Sequence, residues 1–298
     1  MSIEADRTPV FDRAAEFVRE MWSQSGPSSE MHVGDLAWGT FHCWPSALGA
    51  LRLWSDSTGR TQVLTMFDGS GVCDLVMRPG SAGVKAATQA LEWAETKRRS
   101  TAIGSEPVEL RIGRRLQSTE LVDLLQARGY ERRSVGVPAM SRTIATADVD
   151  QGSIPSGYAI RELHTDDLAS RVVAFNAAFK GEELCVDAYQ ALRDCSPYVP
   201  RLDVVATSSS SSVAAFATLW LDPRNAVVQI EPAGCHPDHR RLGLTRAVIL
   251  QALRWSVELG ATEALVRHVS TNVAAQSLYE SCGFTTVCEQ TGFAKTIP

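Results

Sequence analysis

The chain has 298 residues, 44% of them hydrophobic and 21% charged, with a formal net charge of -5. That length exceeds one comfortable core and predicts two domains, and the acidic balance excludes a general basic field for nucleic acid, so any anion site must be local. No apolar run approaches the length that crosses a bilayer, which predicts no membrane partner. Seven cysteines, odd in number and without a Cys-x-x-Cys pair, read as reduced thiols of a cytoplasmic protein. The charged opening (Glu4, Asp6, Arg7, Asp12, Arg13) is unlike a signal peptide.

In chain order, Phe11, Ala14, Ala15, Val18, Met21 and Trp22 recur at helical spacing and predict an opening amphipathic helix. Arg78-Pro-Gly-Ser-Ala-Gly83 is a glycine-bearing turn. The segment from Leu124 to Ile144 reads as a helix end, a Gly129-Tyr130 cap and strands. Residues 145–156, mostly small and polar with one Gly and one Pro, read as a linker. Tyr158–Leu163 reads as a strand, followed by a helix capped by Thr165 with Leu168, Val172, Phe175 and Phe179 on one face. Strands at Asp203–Ala206 and Val213–Trp220 flank a serine run, 208–212, that reads as a hairpin turn. Another strand covers Ala226–Cys235. Glu263–Val269 is a strand, and the segment from Asn272 is a short helix closed by Gly283. Strands first, then helix–strand–helix–strand, predict a mixed α/β (α+β) sheet rather than a doubly wound parallel one.

Two stretches carry chemistry. In Glu231-Pro-Ala-Gly-Cys-His-Pro-Asp-His-Arg-Arg-Leu-Gly-Leu-Thr-Arg246 an extended segment passes through a basic turn straight into a helix beginning near Leu244. Backbone N–H groups at such a helix start lack intrahelical partners, and the dipole adds positive charge, so the turn is expected to hold an anion, a phosphate. Arg240, Arg241 and Arg246 add charge, and Gly243 lets backbone approach closely. The second stretch is Asn272-Val-Ala-Ala-Gln-Ser-Leu-Tyr-Glu-Ser-Cys-Gly-Phe284. In this order, with one helix and one strand between them, the two resemble the GNAT acetyltransferase superfamily. Arg240, Gly243 and Thr245 match its acetyl-CoA turn, Arg/Gln-x-x-Gly-x-Gly/Ala. Asn272, Leu278, Tyr279, Glu280, Gly283 and Phe284 match its later signature. The resemblance covers roughly residues 157–298, and Thr245 departs from it, standing where Gly or Ala is usual.

The halves also resemble each other. Gly283 follows Gly129 by 154 residues and Thr296 follows Thr143 by 153, which predicts tandem GNAT-like domains, 1–145 and 157–298, joined by a linker at 146–156. The first copy lacks the chemistry: Arg78–Gly83 has no Arg or Gln three residues before a glycine, Leu125 stands opposite Tyr279, and Ser118 opposite Asn272. It is expected to be structural, walling the active site or a dimer interface; a rival reading keeps a weakened CoA site at Gly80 and Gly83. A homodimer is left open.

The resemblance implies an acetyl-CoA-dependent N-acetyltransferase acting on the primary amine of a small molecule or peptide by direct attack in a ternary complex. Ala233, Gly234 and Cys235 would hold pantetheine as though it were a strand. Arg240, Arg241, Leu242, Gly243, Leu244 and Thr245 would hold pyrophosphate, and Asn272 would either bind the cofactor or cap its helix. Tyr279 is the candidate acid for the departing thiolate, or a core aromatic. Glu231, which strand alternation places with Ala233 and Cys235, is the candidate base, or a structural acid paired with arginine. His236 and His239 lack the Glu and third ligand of the common helical zinc motif, so no metal is expected, and His236 would cap the turn or touch phosphate. His268 reads as a satisfied core or edge histidine. Trp220, Phe175, Phe179, Tyr189 and Tyr198 either line the acceptor pocket or fill the core. A CoA-sensing or scaffolding protein without turnover is the alternative.

Overall fold

The computed structural model describes residues 8–42, 50–68, 71–101, 106–116, 118–144 and 154–298. The first half runs α1 (Thr8–Ser25), α2 (Val33–Phe41), β1 (Ala50–Ser55), β2 (Thr61–Phe67), β3 (Val72–Met77), α3 (Ser81–Ser100), β4 (Val108–Leu116), α4 (Thr119–Ala127) and β5 (Glu131–Thr143). The second runs β6 (Tyr158–Glu162), α5 (Leu168–Ala178), α6 (Val186–Arg193), β7 (Asp203–Ser208), β8 (Val213–Asp222), β9 (Val227–Cys235), α7 (Leu244–Glu258), β10 (Glu263–Arg267), α8 (Val273–Ser281) and β11 (Thr285–Ile297). Most of the expected linker, 145–153, lies outside the described residues.

Each half carries the expected mixed, mostly antiparallel sheet, with β3 parallel to β4 and β9 parallel to β10. The two are continuous, in the order β1-β2-β3-β4-β11-β5-β10-β9-β8-β7-β6, because the halves exchange their last strands. β11 pairs with β4 of the first half, β5 pairs with β10 of the second, and β5 and β11 pair with each other. Val137 opposes Gln290, its own counterpart in the repeat, which marks a local two-fold relation. Packing follows the exchange. Phe293 and Ile297 of β11 fill the core beneath α3 and α4, while Met140 of β5 and Ile144 fill the core beneath α7.

The opening helix has the predicted face: Phe11, Ala14, Ala15, Val18, Met21 and Trp22 are all buried. With α2 it fills a core shared by Leu64 and Val76 of the first half and Phe175, Tyr189, Phe216 and Trp220 of the second. The serine run is the expected hairpin turn, closed by Ser208 N–H donating to the Ser212 carbonyl. Thr165 is not the cap of α5. It opens a short 3-10 turn in which the Asp167 carboxylate accepts the His164 N–H at 3.0 Å and pairs with Arg161, and Asp167 then stands at the α5 N-cap.

One polar cluster ties α2 to the sheet. The Asp35 carboxylate accepts from Arg267 Nη1 at 2.9 Å, Gln229 Nε2 at 2.6 Å and its own His32 N–H at 2.8 Å. Both side chains of the ion pair are only 2% exposed. Arg267 also donates to Gln290 of β11 and to the Ser29 carbonyl. Removing one partner of a buried pair strands the other, at a cost of about 3–5 kcal/mol. Asp35→Ala is therefore expected to lower unfolding stability in urea by about that amount. The double variant Asp35→Leu/Arg267→Met should recover most of the loss.

His32 is fully buried, edge-on to Trp22, and its Nδ1 accepts the Gly34 N–H at the start of α2. Burial holds its pKa down, from 6.5 to about 4. The folded chain thus keeps His32 neutral where the unfolded chain would protonate it, so its contribution is complete above pH 6.5 and is lost as pH falls through about 4. Guanidinium unfolding followed from pH 8 to pH 4 should show this loss. His32→Asn, which keeps the cap acceptor, should remove that component.

Candidate active site

β9 is paired on both edges up to Ile230, which opposes Val266 of β10; beyond it only β8 continues alongside. The divergence begins at a bulge. Ala217 opposes Ala233 and Leu219 opposes Ile230, so Glu231 and Pro232 together face Thr218 alone. Alternation is interrupted there: Ala233 and Cys235 pack toward α7, but Glu231 does not belong to their row. Trp220, fully buried, fixes the bulge by donating Nε1–H to the Glu231 carbonyl at 2.5 Å. The β10-facing edge of residues 231–235 is left as an open strand edge. A Cβ on Gly234 would come 2.6 Å from Phe216 and 3.1 Å from Phe179, so this position is tight on its aromatic side.

After β9 the chain makes a one-turn 3-10 helix, Pro237–His239, capped by His236 Nδ1 accepting the Asp238 N–H, and His239 Nδ1 lies 2.8 Å from the Tyr158 hydroxyl. Both histidines thus have structural partners, and among the described residues no group of three His, Cys, Asp or Glu could share a metal. The next turn is held by two left-handed residues, Arg241 (φ 62°) and Gly243 (φ 74°), the latter at the N-cap of α7. Gly243 suits that conformation because it has no Cβ; Arg241 adopts it at a steric cost. Among the described residues, the backbone N–H groups of Arg241, Leu242, Gly243, Leu244 and Thr245 donate to nothing. Five free donors at the positive end of a helix of 15 residues form a cradle for an anion. Arg240 and Arg241 are exposed beside it, and Arg240 reaches the Ala178 carbonyl at the end of α5. Arg246 instead turns to the Ser281 carbonyl of α8. The Thr245 hydroxyl bonds the Cys235 thiol, which burial pushes above its usual pKa.

Tyr279 and Glu231 are brought together. Tyr279 is buried on α8, and burial first, then the Glu231 charge, raises its hydroxyl above the ordinary phenol range, so it stays a proton donor. That hydroxyl has no hydrogen-bond partner among the described residues. Asn272 caps α8, its Oδ1 accepting the Ala275 N–H at 3.1 Å, which leaves its Nδ2 group uncommitted by the cap. Phe175 and Tyr189 are core rather than lining, the latter donating its hydroxyl to Asp203 at 2.7 Å. Phe179 and Tyr198 are half-buried, and Tyr198 also donates to Asp203.

Residues 161–284 match the acetyltransferase (GNAT) family model. Residues 161–284 form a GNAT domain. Two solved structures share the fold of nearly the whole chain. One is a GCN5-related N-acetyltransferase from Sphaerobacter thermophilus (16% identity, 95% of this chain, 91% of that one, TM-score 0.64). The other is a tandem GNAT protein from the clavulanic acid biosynthesis pathway (13% identity, 100% of this chain, 97% of that one, TM-score 0.66). None of the curated proteins matches the chain. The fold of the whole chain is therefore like that of a tandem GNAT protein, and the family that residues 161–284 match is one of acetyltransferases.

The first GNAT-like half treats its corresponding turn differently. The Gly80 N–H donates to Glu120 Oε2 at 2.9 Å, so a carboxylate of the chain itself sits at the start of α3. Arg78 is clamped by Glu20 in two bonds, at 2.6 and 2.7 Å, which hold the Glu20 carboxyl down to about 2. A Cβ on Gly83 would lie 1.8 Å from the Arg78 carbonyl, so that glycine serves close packing of the turn. Ser118 caps α4 as Asn272 caps α8.

Sequence reasoning missed Trp220 as the support of the bulge, the contribution of α2, and the environment of His268. A tryptophan in an apolar strand gives no sign of where its N–H points. The amphipathic character of α2 is weak because it has no exposed face: Val33, Gly34, Asp35, Leu36 and Ala37 are buried and the rest of the helix is half-buried.

Proposed function

We propose that the second half transfers the acetyl group of acetyl-CoA to the primary amine of a small molecule or peptide. The observation that carries the reading is the set of five donor-only backbone amides at 241–245 beside the open edge of β9. A diphosphate would take the amides, and Ala233, Gly234 and Cys235 would bond the pantetheine arm along the strand edge. Leu242, Gly243 and Leu244 bring backbone alone to the phosphates, Arg240 and Arg241 add charge, and Asn272 offers its amide nitrogen from the neighbouring helix. Such anchoring leads the thioester into the gap between β9 and β10, where fixing amine and thioester in line lowers the barrier by several kcal/mol.

There a neutral amine attacks the carbonyl carbon, the C–S bond breaks, and the departing sulfur takes a proton. Tyr279 supports the donor role, being neutral, buried and without another acceptor. Glu231 supports a role in removing the amine's proton, directly or through water, because its charge is felt at Tyr279. The first half, 1–145, is then a non-catalytic partner: its turn is filled by Glu120, and it supplies α1 and α2 to the shared core. The catalytic half is 157–298, and 146–156 joins the two. The unpaired cysteines among the described residues support a cytoplasmic setting.

Saturating acetyl-CoA should raise the melting temperature and give a calorimetric binding curve; the absence of both effects would overturn the proposal. Gly243→Glu should abolish that binding by placing a carboxylate against the diphosphate, measured in the same titration. Tyr279→Phe should leave stability within about 0.5 kcal/mol, since no hydrogen bond is lost, and acetyl-CoA affinity unchanged, while turnover measured by thiol release falls at least about tenfold. Equal loss of affinity and turnover would make it a packing residue.

A further inference from the structure

The sequence gives no reason to separate His268 from the core; the structure does. It follows directly on the last residue of β10, two positions beyond Val266, where β9 has already left. On the other side its backbone is still held, the N–H pointing to the Pro138 carbonyl of β5. Ala264 and Val266 belong to the core that contains Tyr279, whereas Leu265 faces Trp22 and Arg267 faces Asp35. Continued alternation places His268 with Ala264 and Val266, and its ring centre lies 6.1 Å from that of Tyr279. It is 8% exposed, so water does not freely satisfy it.

The tautomer follows from its one hydrogen bond. Nδ1 lies 3.0 Å from the Val269 carbonyl, which can only accept, so Nδ1 carries the proton. Nε2 therefore presents a lone pair, and that atom is buried without a hydrogen-bond partner. A buried acceptor left open is costly and uncommon. Here its ring stands beside that of the candidate acid, just past the point where β9 leaves β10.

We propose that His268 is the first proton acceptor for the amine in the transfer reaction, with Glu231 in a secondary role. The inference rests on the acetyl-transfer reading above. Nε2 takes one proton from the substrate ammonium, giving the neutral amine and an imidazolium. The amine lone pair forms the C–N bond at the thioester carbonyl. The C–S bond then breaks, and the sulfur takes the Tyr279 phenolic proton. The remaining surplus proton on nitrogen restores the Tyr279 hydroxyl, and the imidazolium releases its proton to water. The products are the amide, the free thiol and one proton.

The test uses the full chain in three forms: His268→Gln, which nearly keeps the volume, His268→Ala, and Glu231→Gln. Melting temperature and acetyl-CoA affinity by calorimetry come first; failure of the unaltered chain to bind acetyl-CoA would count against the acetyl-transfer reading itself. With binding intact, both His268 variants should lose at least about 100-fold in kcat at unchanged acetyl-CoA affinity. Added imidazole should restore part of the His268→Ala loss, and Glu231→Gln should lose less than either. A nitrogen-15 spectrum of the unaltered chain should show His268 as the Nδ1–H tautomer, a readout that needs no acceptor. Three results would overturn the assignment: an Nε2–H tautomer; kcat within about threefold of the unaltered chain in both variants; or a loss of acetyl-CoA affinity that accounts for the fall in turnover, which would make Nε2 an acceptor for the pantetheine amide.

Discussion

The pairing of β5 with β11 governs the rest of this architecture. Each half ends in a long strand, and each strand completes the sheet of the other half. The first half's core is closed by Phe293 and Ile297, the second's by Met140 and Ile144. The site depends on the same arrangement. With β5 bonded along its outer edge, β10 stays in the sheet, so the divergence after Ile230 and Val266 is taken up by β9. The bulge at Glu231 and Pro232, held from behind by the Trp220 N–H, turns that divergence into an open edge of defined length.

The buried ion pair between Asp35 and Arg267 links this frame to the opening helices. Arg267 lies between Val266, the last residue paired to β9, and His268, whose ring lies beside that of Tyr279. Its guanidinium is tied at once to α2, to Gln290 of β11 and to the Ser29 carbonyl. One side of the β10 terminus is thus anchored in the first 40 residues of the chain, while the other side meets Tyr279. Arg267 is a direct bridge between α2 and the end of β10.

Much of the anion turn was legible in sequence because its requirements are local. Gly243 must be left-handed, the helix must begin directly after it, and no side chain may cap it; each condition can be read from neighbouring residues. Asn272 and Gly283, at the two ends of α8, are equally local signals. The repeat was legible too, through Gly129 and Gly283, but its consequence was not. Alternating residues show that β5 and β11 are strands without showing which half each completes. The bulge was hidden because Glu231–Cys235 reads as an unbroken alternating run. Thr165 looked like the cap of α5, yet Asp167 won the position because its carboxylate serves the His164 N–H and Arg161 together. His268 was read as satisfied since sequence cannot tell an imidazole with two partners from one with a single backbone carbonyl.

The exchanged strands also bear on how the chain is made. A ribosome delivers residues 108–116 well before 285–297, so a nascent first half must wait with β4 exposed as a naked, hydrogen-bonding margin. That margin is sealed only when the final thirteen-residue strand arrives. A chain cut short of β11 would leave that margin uncovered and open to pairing with another strand.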